Sequence, residues 1–328
     1  MLDDDHGRWR REHEGRLVHR HISQMGTVII VGAPHDPQVA RVQDEIRLRG
    51  GRSLLIDTDA FPEEATLSMR GAVIDYEGRP LPKDISSVYL RALGANPLAP
   101  RYKMDLKHRT HGLLAQMDER LALLASIILT LKKRGVRIVN DLEVNAQHSR
   151  KPYQLSLLKE AGLRVPRFAA TNDPETVLSF VRSVKRAVYK PVGGGATVRA
   201  VNKRDLTRAR LESLALAPVL FQERVDGVSL RVYVVGGSCV ASAEIHSSEL
   251  DYRRKEDAVI ATVLIKAEQR ACIDAARACS MTFSGVDLIR GVNGFYVLEC
   301  NPSPMFAVFE KKTGLDVAKP LARFLLKR

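Results

Sequence analysis

The chain has 328 residues, too many for one small core and enough for two or three subdomains. Its apolar content of 45% is ordinary for a globular protein, and its longest apolar run, Leu121–Leu131, is too short to span a bilayer. The net charge of +13 favours anionic ligands without choosing among them. The first residues hold no apolar signal core, and Cys239, Cys272, Cys279 and Cys300 show no Cys-x-x-Cys spacing, so a reduced, cytoplasmic protein without a membrane segment is expected.

Residues 1–25 carry four of the nine histidines and five arginines against five acidic residues, with no apolar periodicity. They are expected to form a disordered arm. From Gly26 the pattern becomes α/β. Thr27–Val31 and Ser53–Asp57 are expected strands around a helix over Gln38–Arg49. Ser68–Tyr76 and Ser86–Leu90 are expected strands, with Glu77-Gly78-Arg79 as a turn. Leu106–Arg134 is expected to be mostly helical, and Val136–Val139 to be a strand. The segment 26–140 thus predicts a small doubly wound sheet. The basic run Arg101, Lys103, Lys107, His108, Arg109 and His111 within it is either a solvated face or the lining of an anionic site.

Beyond Asn140, helices are expected over His148–Ala161, which carries Lys151, and over Asp173–Ser183, with Asp173 as cap and Pro174 in the first turn. Val165–Phe168 is an expected strand between them. The stretch Arg186–Arg199 predicts strand, glycine-rich loop, strand. Leu206–Leu214 is expected to be helical, Val219–Gln222 a strand, and Ser229–Val235 with Cys239–Ile245 a meander. Lys266–Ser280 is an expected helix in which Cys272 and Cys279, two turns apart, are core residues. Leu315–Leu326 is an expected terminal helix.

The apolar runs Val286–Ile289 and Phe295–Leu298 flank Gly291-Val292-Asn293-Gly294, the pattern of a β-hairpin. A three-residue loop, Val292 to Gly294 with positive φ at Gly294, places Asp287 opposite Glu299. Glu299 and Asn301 share a face because side chains alternate along a strand. A two-residue turn would put Asp287 and Glu299 on opposite faces. Two carboxylates and an amide oxygen are the hard donors that Mg²⁺ takes together with substrate phosphates. The simpler alternative is a hairpin whose polar residues face water.

Lys190 closes a strand ahead of Pro191-Val192-Gly193-Gly194-Gly195. Glycines there let the backbone approach a polyanion, and the lysine adds a point charge for phosphate. No Gly-Lys-Ser/Thr follows, so this is not a Walker loop. Gln222-Glu223-Arg224-Val225-Asp226-Gly227 then leaves a strand through a polar corner.

In order along the chain come Lys151, Lys190 with its glycines, the Gln222-Glu223-x-Val225 corner and Gly227-x-x-x-Arg231-Val-Tyr-Val-Val-Gly. Asp251-Tyr252-Arg253, Asp287, Glu299-Cys-Asn301-Pro-Ser-Pro and Thr313-Gly314-Leu-Asp316 follow. From about Asn140 onward this order resembles the ATP-grasp ligases of the RimK and glutathione-synthetase branch. The resemblance implies an α/β (α+β subdomains) ATP-grasp fold behind an N-terminal doubly wound domain. Its parts would be a central subdomain over 141–225 with the glycine flap and a C-terminal subdomain over 226–328 with the metal site. It implies that Lys151 and Lys190 hold the α- and β-phosphates of ATP under a flap of Gly193, Gly194 and Gly195. The backbone of Glu223 and Val225 would meet adenine, with Gln222 alongside. Asp287, Glu299 and Asn301 would bind two Mg²⁺ ions, or Mn²⁺, and Arg231 and Arg253 would steady the transferred phosphoryl group and the substrate carboxylate. Two departures stand out: Ser229 occupies the position of the usual acidic ribose contact, and Pro304 stands where a glycine is common.

The implied reaction is phosphoryl activation of a carboxylate as an acylphosphate, followed by attack of an amine, with release of ADP and phosphate. The acceptor would be an anionic small molecule, peptide or protein, the donor an amino acid or amine, and the enzyme a homodimer or tetramer. A regulatory module that binds ATP without catalysis would be expected to lack metal ligands. Nucleic acid is a poor match for a chain with one Trp and no aromatics interleaved with its basic runs.

Overall fold

Thr27–Gly32 (β1) is buried at every residue, the pattern of a central parallel strand. The computed structural model describes residues 26–327 apart from Ala95, Gly195, Ala196 and 251–255. The expected arm over 1–25 lies outside the described residues. Asp36 caps helix α1 (Pro37–Leu48), its Oδ1 accepting from Gln38 N at 2.8 Å with Pro37 in the first turn. β2 (Arg52–Asp57) lies parallel to β1. The expected strand Ser68–Tyr76 is instead a hairpin of β3 (Leu67–Arg70) and β4 (Val73–Tyr76). It turns at Gly71, whose φ of 59° suits glycine. β5 (Arg79–Pro80) completes this small antiparallel sheet.

β6 (Ile85–Leu90) is followed by α2 (Lys103–His108) and α3 (Thr110–Lys133), two helices where one was expected, divided at Arg109 with φ of −141°. With β7 (Arg137–Val139) the main sheet has the order β2-β1-β6-β7, parallel throughout. The chain divides into two compact units, and this sheet belongs to the first, residues up to Val139 together with those from Leu321. The C-terminal segment is tied in by Ser87 Oγ, which donates to Leu325 O at 2.8 Å, and by Arg137 Nη1, which donates to Phe324 O at 3.2 Å.

The second unit, Asn140–Pro320, holds two further sheets. α4 (Leu142–Ala146) and a short 3₁₀ turn precede α5 (Lys151–Glu160), so the helix expected from His148 begins at Lys151. β8 (Phe168–Thr171) starts three residues after the expected Val165, because Pro166 offers no N–H to a ladder. α6 (Pro174–Ser183) is capped by Asp173 as expected. β9 (Ala187–Pro191), β10 (Arg199–Ala200), α7 (Arg208–Glu212) and β11 (Val219–Glu223) follow. The four strands form an antiparallel sheet of order β10-β9-β11-β8.

The other sheet is built from β12 (Val228–Val235), β13 (Ser238–His246), β14 (Ala258–Ala261), β15 (Phe283–Gly291) and β16 (Gly294–Asn301), ordered β14-β13-β12-β15-β16. Helix α8 (Lys266–Ala278) covers it, and Cys272, Cys279 and Cys300 are buried between them with Val232, Val286 and Val297. β14 and α9 (Ala307–Thr313) were not expected from the sequence. The terminal helix α10 (Ala318–Leu326) starts three residues late.

Candidate active site

The β15–β16 hairpin sets the geometry. Gly291 pairs with Gly294, so the turn is the two residues Val292 and Asn293, not the three expected. Gly294 does take the positive φ, 103°. A two-residue turn alone would separate the carboxylates. The register shifts between Asp287 and Leu288, so Leu288 faces Val297 while Asp287 faces Glu299, and Leu298 is the extra residue of a β-bulge. The bulge restores the face that the turn would have lost. Gly285 faces Asn301 two positions on, which leaves Glu299 and Asn301 on the Asp287 side.

Cations converge on this face. Arg231 lies opposite Asp287 in the neighbouring strand β12, and its guanidinium grips both carboxylate oxygens, Nη2 to Oδ2 at 2.9 Å and Nε to Oδ1. Lys151 Nζ donates to Glu299 Oε2 at 2.5 Å, and Lys190 Nζ lies 3.8 Å from the same oxygen. Lys151 is the first residue of α5, where the helix dipole favours anions over cations. The Glu299 carboxylate offsets that. Burial pushes the Glu299 carboxyl up, but the Lys151 and Lys190 charges outweigh it and hold the carboxyl at about 2. Burial pushes the Asp287 carboxyl above its ordinary range, with Arg231 opposing and Glu299 adding. Asn301 Oδ1 accepts from Ser303 N at 3.0 Å.

One cavity is lined by Lys190, Gln222, Glu223, Val225, Ser229 and Arg231, and its floor carries Asp287, Glu299 and Asn301. The Gln222 side chain is buried there and its Nε2 has no hydrogen-bond partner, an orphaned donor suited to a ligand acceptor. The Glu223 carboxylate is held by Arg167 Nε and Nη2 at 3.0 and 3.1 Å. Gly227, with φ of 155°, lets the chain leave the corner pressed against the Arg290 carbonyl, where a Cβ would collide. Lys151 is not among the cavity's lining residues but reaches it through Glu299. Gly193 and Gly194 follow Lys190, with φ of 83° at Gly194; Gly195 and Arg253 lie outside the described residues.

The sequence reading missed the apolar walls Val188, Ile289 and Leu298, and His148, which also line the cavity. Alternation along the β9 and β15 strands offered the only signal. It also missed Asn140, the buried residue that joins both ends of the hairpin. Asn140 Nδ2 donates to Phe283 O and Pro302 O at 2.5 and 2.6 Å, and its Oδ1 accepts from Thr282 N at 2.8 Å. Of the basic run, Arg101 lines a separate cleft in the first unit, where it donates to Asp59 O at 2.7 Å. Lys103, Lys107, His108, Arg109 and His111 are exposed.

The donor set fits Mg²⁺: two carboxylates and an amide oxygen on one face, all hard, with no soft ligand among them. No cluster of three His, Cys, Asp or Glu that could hold a metal ion exists among the described residues. No helix among the described residues is long and apolar enough to cross a membrane.

Two sheets, a glycine loop after a strand lysine and a paired-carboxylate hairpin define a nucleotide-dependent ligase of the ATP-grasp kind. The model of the RimK-like ATP-grasp domain matches residues 148–325. A "probable alpha-L-glutamate ligase" of Teredinibacter turnerae is 28% identical over 214 residues, 62% of this chain and 71% of that protein. The ATP-grasp ligase PsnB, solved with a phosphomimetic variant of its minimal precursor, Mg and ADP, is 35% identical with a TM-score of 0.83, covering 92% of this chain and 98% of that one. The macrocyclase MdnC from Microcystis aeruginosa MRC, bound with precursor peptide MdnA, shares the fold at 22% identity and a TM-score of 0.77, covering 92% of this chain and 100% of its own. The chain belongs to the RimK-like ATP-grasp family and is an ATP-dependent ligase that forms amide bonds.

Proposed function

We propose that this ligase acts on a peptide, converting a peptide carboxylate to an acylphosphate with Mg²⁺-ATP and joining it to an amine. The observation that carries the reading is the convergence of Lys151 and Lys190 on Glu299, opposite Asp287 and its Arg231. That arrangement is a ready site for a triphosphate: its lysines exchange a carboxylate for phosphate oxygens, and its carboxylates exchange lysines for a metal ion. A bound Mg²⁺ would be held by Asp287, Glu299 and Asn301, and would neutralise charge developing on the phosphates.

The adenine edge would meet the Glu223–Val225 corner. The Glu223 N–H already donates to Arg167 O at 2.8 Å, so the base would meet its carbonyl and the Val225 N–H. The Gln222 amide nitrogen is free to bind a ring nitrogen. Ser229 lines the same cavity and supplies a neutral hydroxyl to the ribose. Arg231, already at the Asp287 carboxylate, is placed to stabilise the transferred phosphoryl group. Arg253 would orient the substrate carboxylate, and the glycines at 193–195 would close over the phosphates and keep water from the acylphosphate.

The peptide substrate is supported by PsnB and MdnC, both solved with precursor peptides, the first similar along nearly its whole length. Addition of free glutamate is the second reading, favoured by the names of the curated relatives. The test is ADP release with Mg²⁺-ATP across acidic peptides and free amino acids, with product masses. Loss of one water from a peptide supports internal ligation, and gain of a glutamyl residue supports the second reading. Turnover that survives in Asp287→Ala/Glu299→Ala would refute both.

A further inference from the structure

Gln154 lies three residues after Lys151 on α5 and is 2% exposed. Its Nε2 donates to Cys300 O at 2.8 Å, and its Oε1 accepts from Cys300 N at 2.8 Å. The side-chain amide thus pairs with one peptide unit as a neighbouring strand would. β16 needs such a partner, because it is the edge strand of its sheet. At Val297 the same edge is held by its N–H donating to Arg164 O at 2.9 Å. Between these two anchors lie only Leu298, the bulged residue, and Glu299.

A bulge is where a ladder is locally broken, and a slip of one residue carries every side chain to the other face. At Glu299 that slip would turn the carboxylate away from Asp287. An apolar residue would serve a buried helix face as well as Gln154 does, unless the amide has a specific partner. We infer that Gln154 is a positioning residue for the divalent ion: it locks the bulged register of β16 and thereby fixes Glu299 and Asn301 relative to Asp287. This rests on the reading of those three residues as metal ligands.

The experiment uses the full chain with Gln154→Leu, which removes both hydrogen bonds, and Gln154→Glu, which keeps an acceptor for Cys300 N but sets a carboxylate against Cys300 O. Mn²⁺ binding in the presence of ADP is read by electron paramagnetic resonance, ADP binding in chelator by calorimetry, and backbone order by hydrogen exchange. Mn²⁺ affinity is expected to fall about 10- to 100-fold in the Leu variant, the usual effect of losing a ligand's supporting partner. ADP binding without metal is expected to be unchanged. The Cys300 amide is expected to exchange faster in the Leu variant, which lacks its acceptor, and in the Glu variant, where repulsion from Cys300 O pushes the carboxylate off the strand, while β12 and β13 stay protected. An unchanged Mn²⁺ affinity, a Cys300 amide as protected as before, or a parallel loss of Mn²⁺ and ADP binding with loosening across the whole sheet would overturn the inference. If the Leu variant does not fold, the Glu variant gives the same three readouts. If the unmodified protein binds no Mn²⁺ with ADP, the ligand assignment fails and the inference with it, whereas the exchange data still report whether the bulge is locked.

Discussion

Asp287 and Glu299 face each other across the β15–β16 hairpin because Leu298 is one residue too many for the ladder. The pair is held by cations on both sides, Arg231 on Asp287 and Lys151 with Lys190 on Glu299. Three cations thus stand against two carboxylates, a near balance that phosphates and a metal ion would enter by exchanging partners.

That balance predicts an unusual stability pattern for Glu299→Gln. Removing the carboxylate takes from the buried Lys151 and Lys190 ammonium groups the anion that both face. The variant should lose about 2 kcal/mol of stability in the absence of nucleotide. Saturating ADP in chelator should narrow the deficit, because its phosphates supply the missing charge and bind only the folded state. Thermal unfolding with and without ADP checks this. An equal deficit in both conditions would place the lysines away from the phosphates.

Arg231→Lys keeps the charge but not the fork that grips both Asp287 oxygens. A lysine cannot span Asp287 and a transferring phosphoryl group with the same geometry. The expected result is a fall in kcat of about 10²- to 10³-fold with little change in the KM for ATP. Steady-state kinetics decide it. A change confined to KM would move Arg231 from the transition state to nucleotide binding.

The Arg167–Glu223 pair braces the corner proposed to meet adenine, but it is largely solvated. Pairs of this kind contribute little, about 0.2 to 1 kcal/mol. Arg167→Ala should therefore raise the KM for ATP only about two- to fivefold and leave kcat alone. A far larger rise in KM would mean that the corner depends on Arg167 for its path, and a fall in kcat would mean that the arginine reaches the chemistry.

Much of the site was legible in the sequence because its residues sit at places with local signatures. Lys190 precedes a glycine run, Asp173 and Pro174 announce a helix, and Gly294 announces a turn. The hairpin shows where legibility ended. The loop length inferred from Asn293-Gly294 was wrong by one residue, and the bulge at Leu298 compensated for it, so the right pairing was reached through the wrong turn. Nothing in Phe295–Leu298 marks a bulge, since its cause is tertiary: backbone anchors at Val297 and Cys300 supplied by Arg164 and Gln154. The split of Ser68–Tyr76 had a visible signal in Gly71, overridden by the apolar residues on either side. β14 and α9 carry too short an apolar pattern to be told from loops. Gln154 and Asn140 act through backbone groups far away in sequence, which no spacing rule can show.

The last prediction concerns Glu268, buried at 1% exposure at the start of α8, where its carboxylate accepts from Arg290 Nε at 2.7 Å and Nη2 at 2.9 Å. It also accepts from Ile265 N at 3.1 Å, capping the helix. The Arg290 hydrogen bonds hold the Glu268 carboxyl below its usual value against the opposing effect of burial, with the Ile265 amide assisting. A carboxyl with a lowered value in the folded state stabilises fully above its unfolded value, about 4.3, and ceases to do so as pH falls through the folded value. Glu268→Gln retains an acceptor for the helix cap and loses the charge facing Arg290. It should cost about 2 kcal/mol at neutral pH. The difference from the unmodified protein should stay constant from neutral pH down to about 5 and shrink below about 4, as the unfolded chain takes up a proton that the native carboxyl does not yet bind. Urea unfolding at a series of pH values measures it. A difference that persists undiminished to the most acidic point would show that Glu268 stabilises α8 by packing and capping, and that the ion pair with Arg290 contributes nothing.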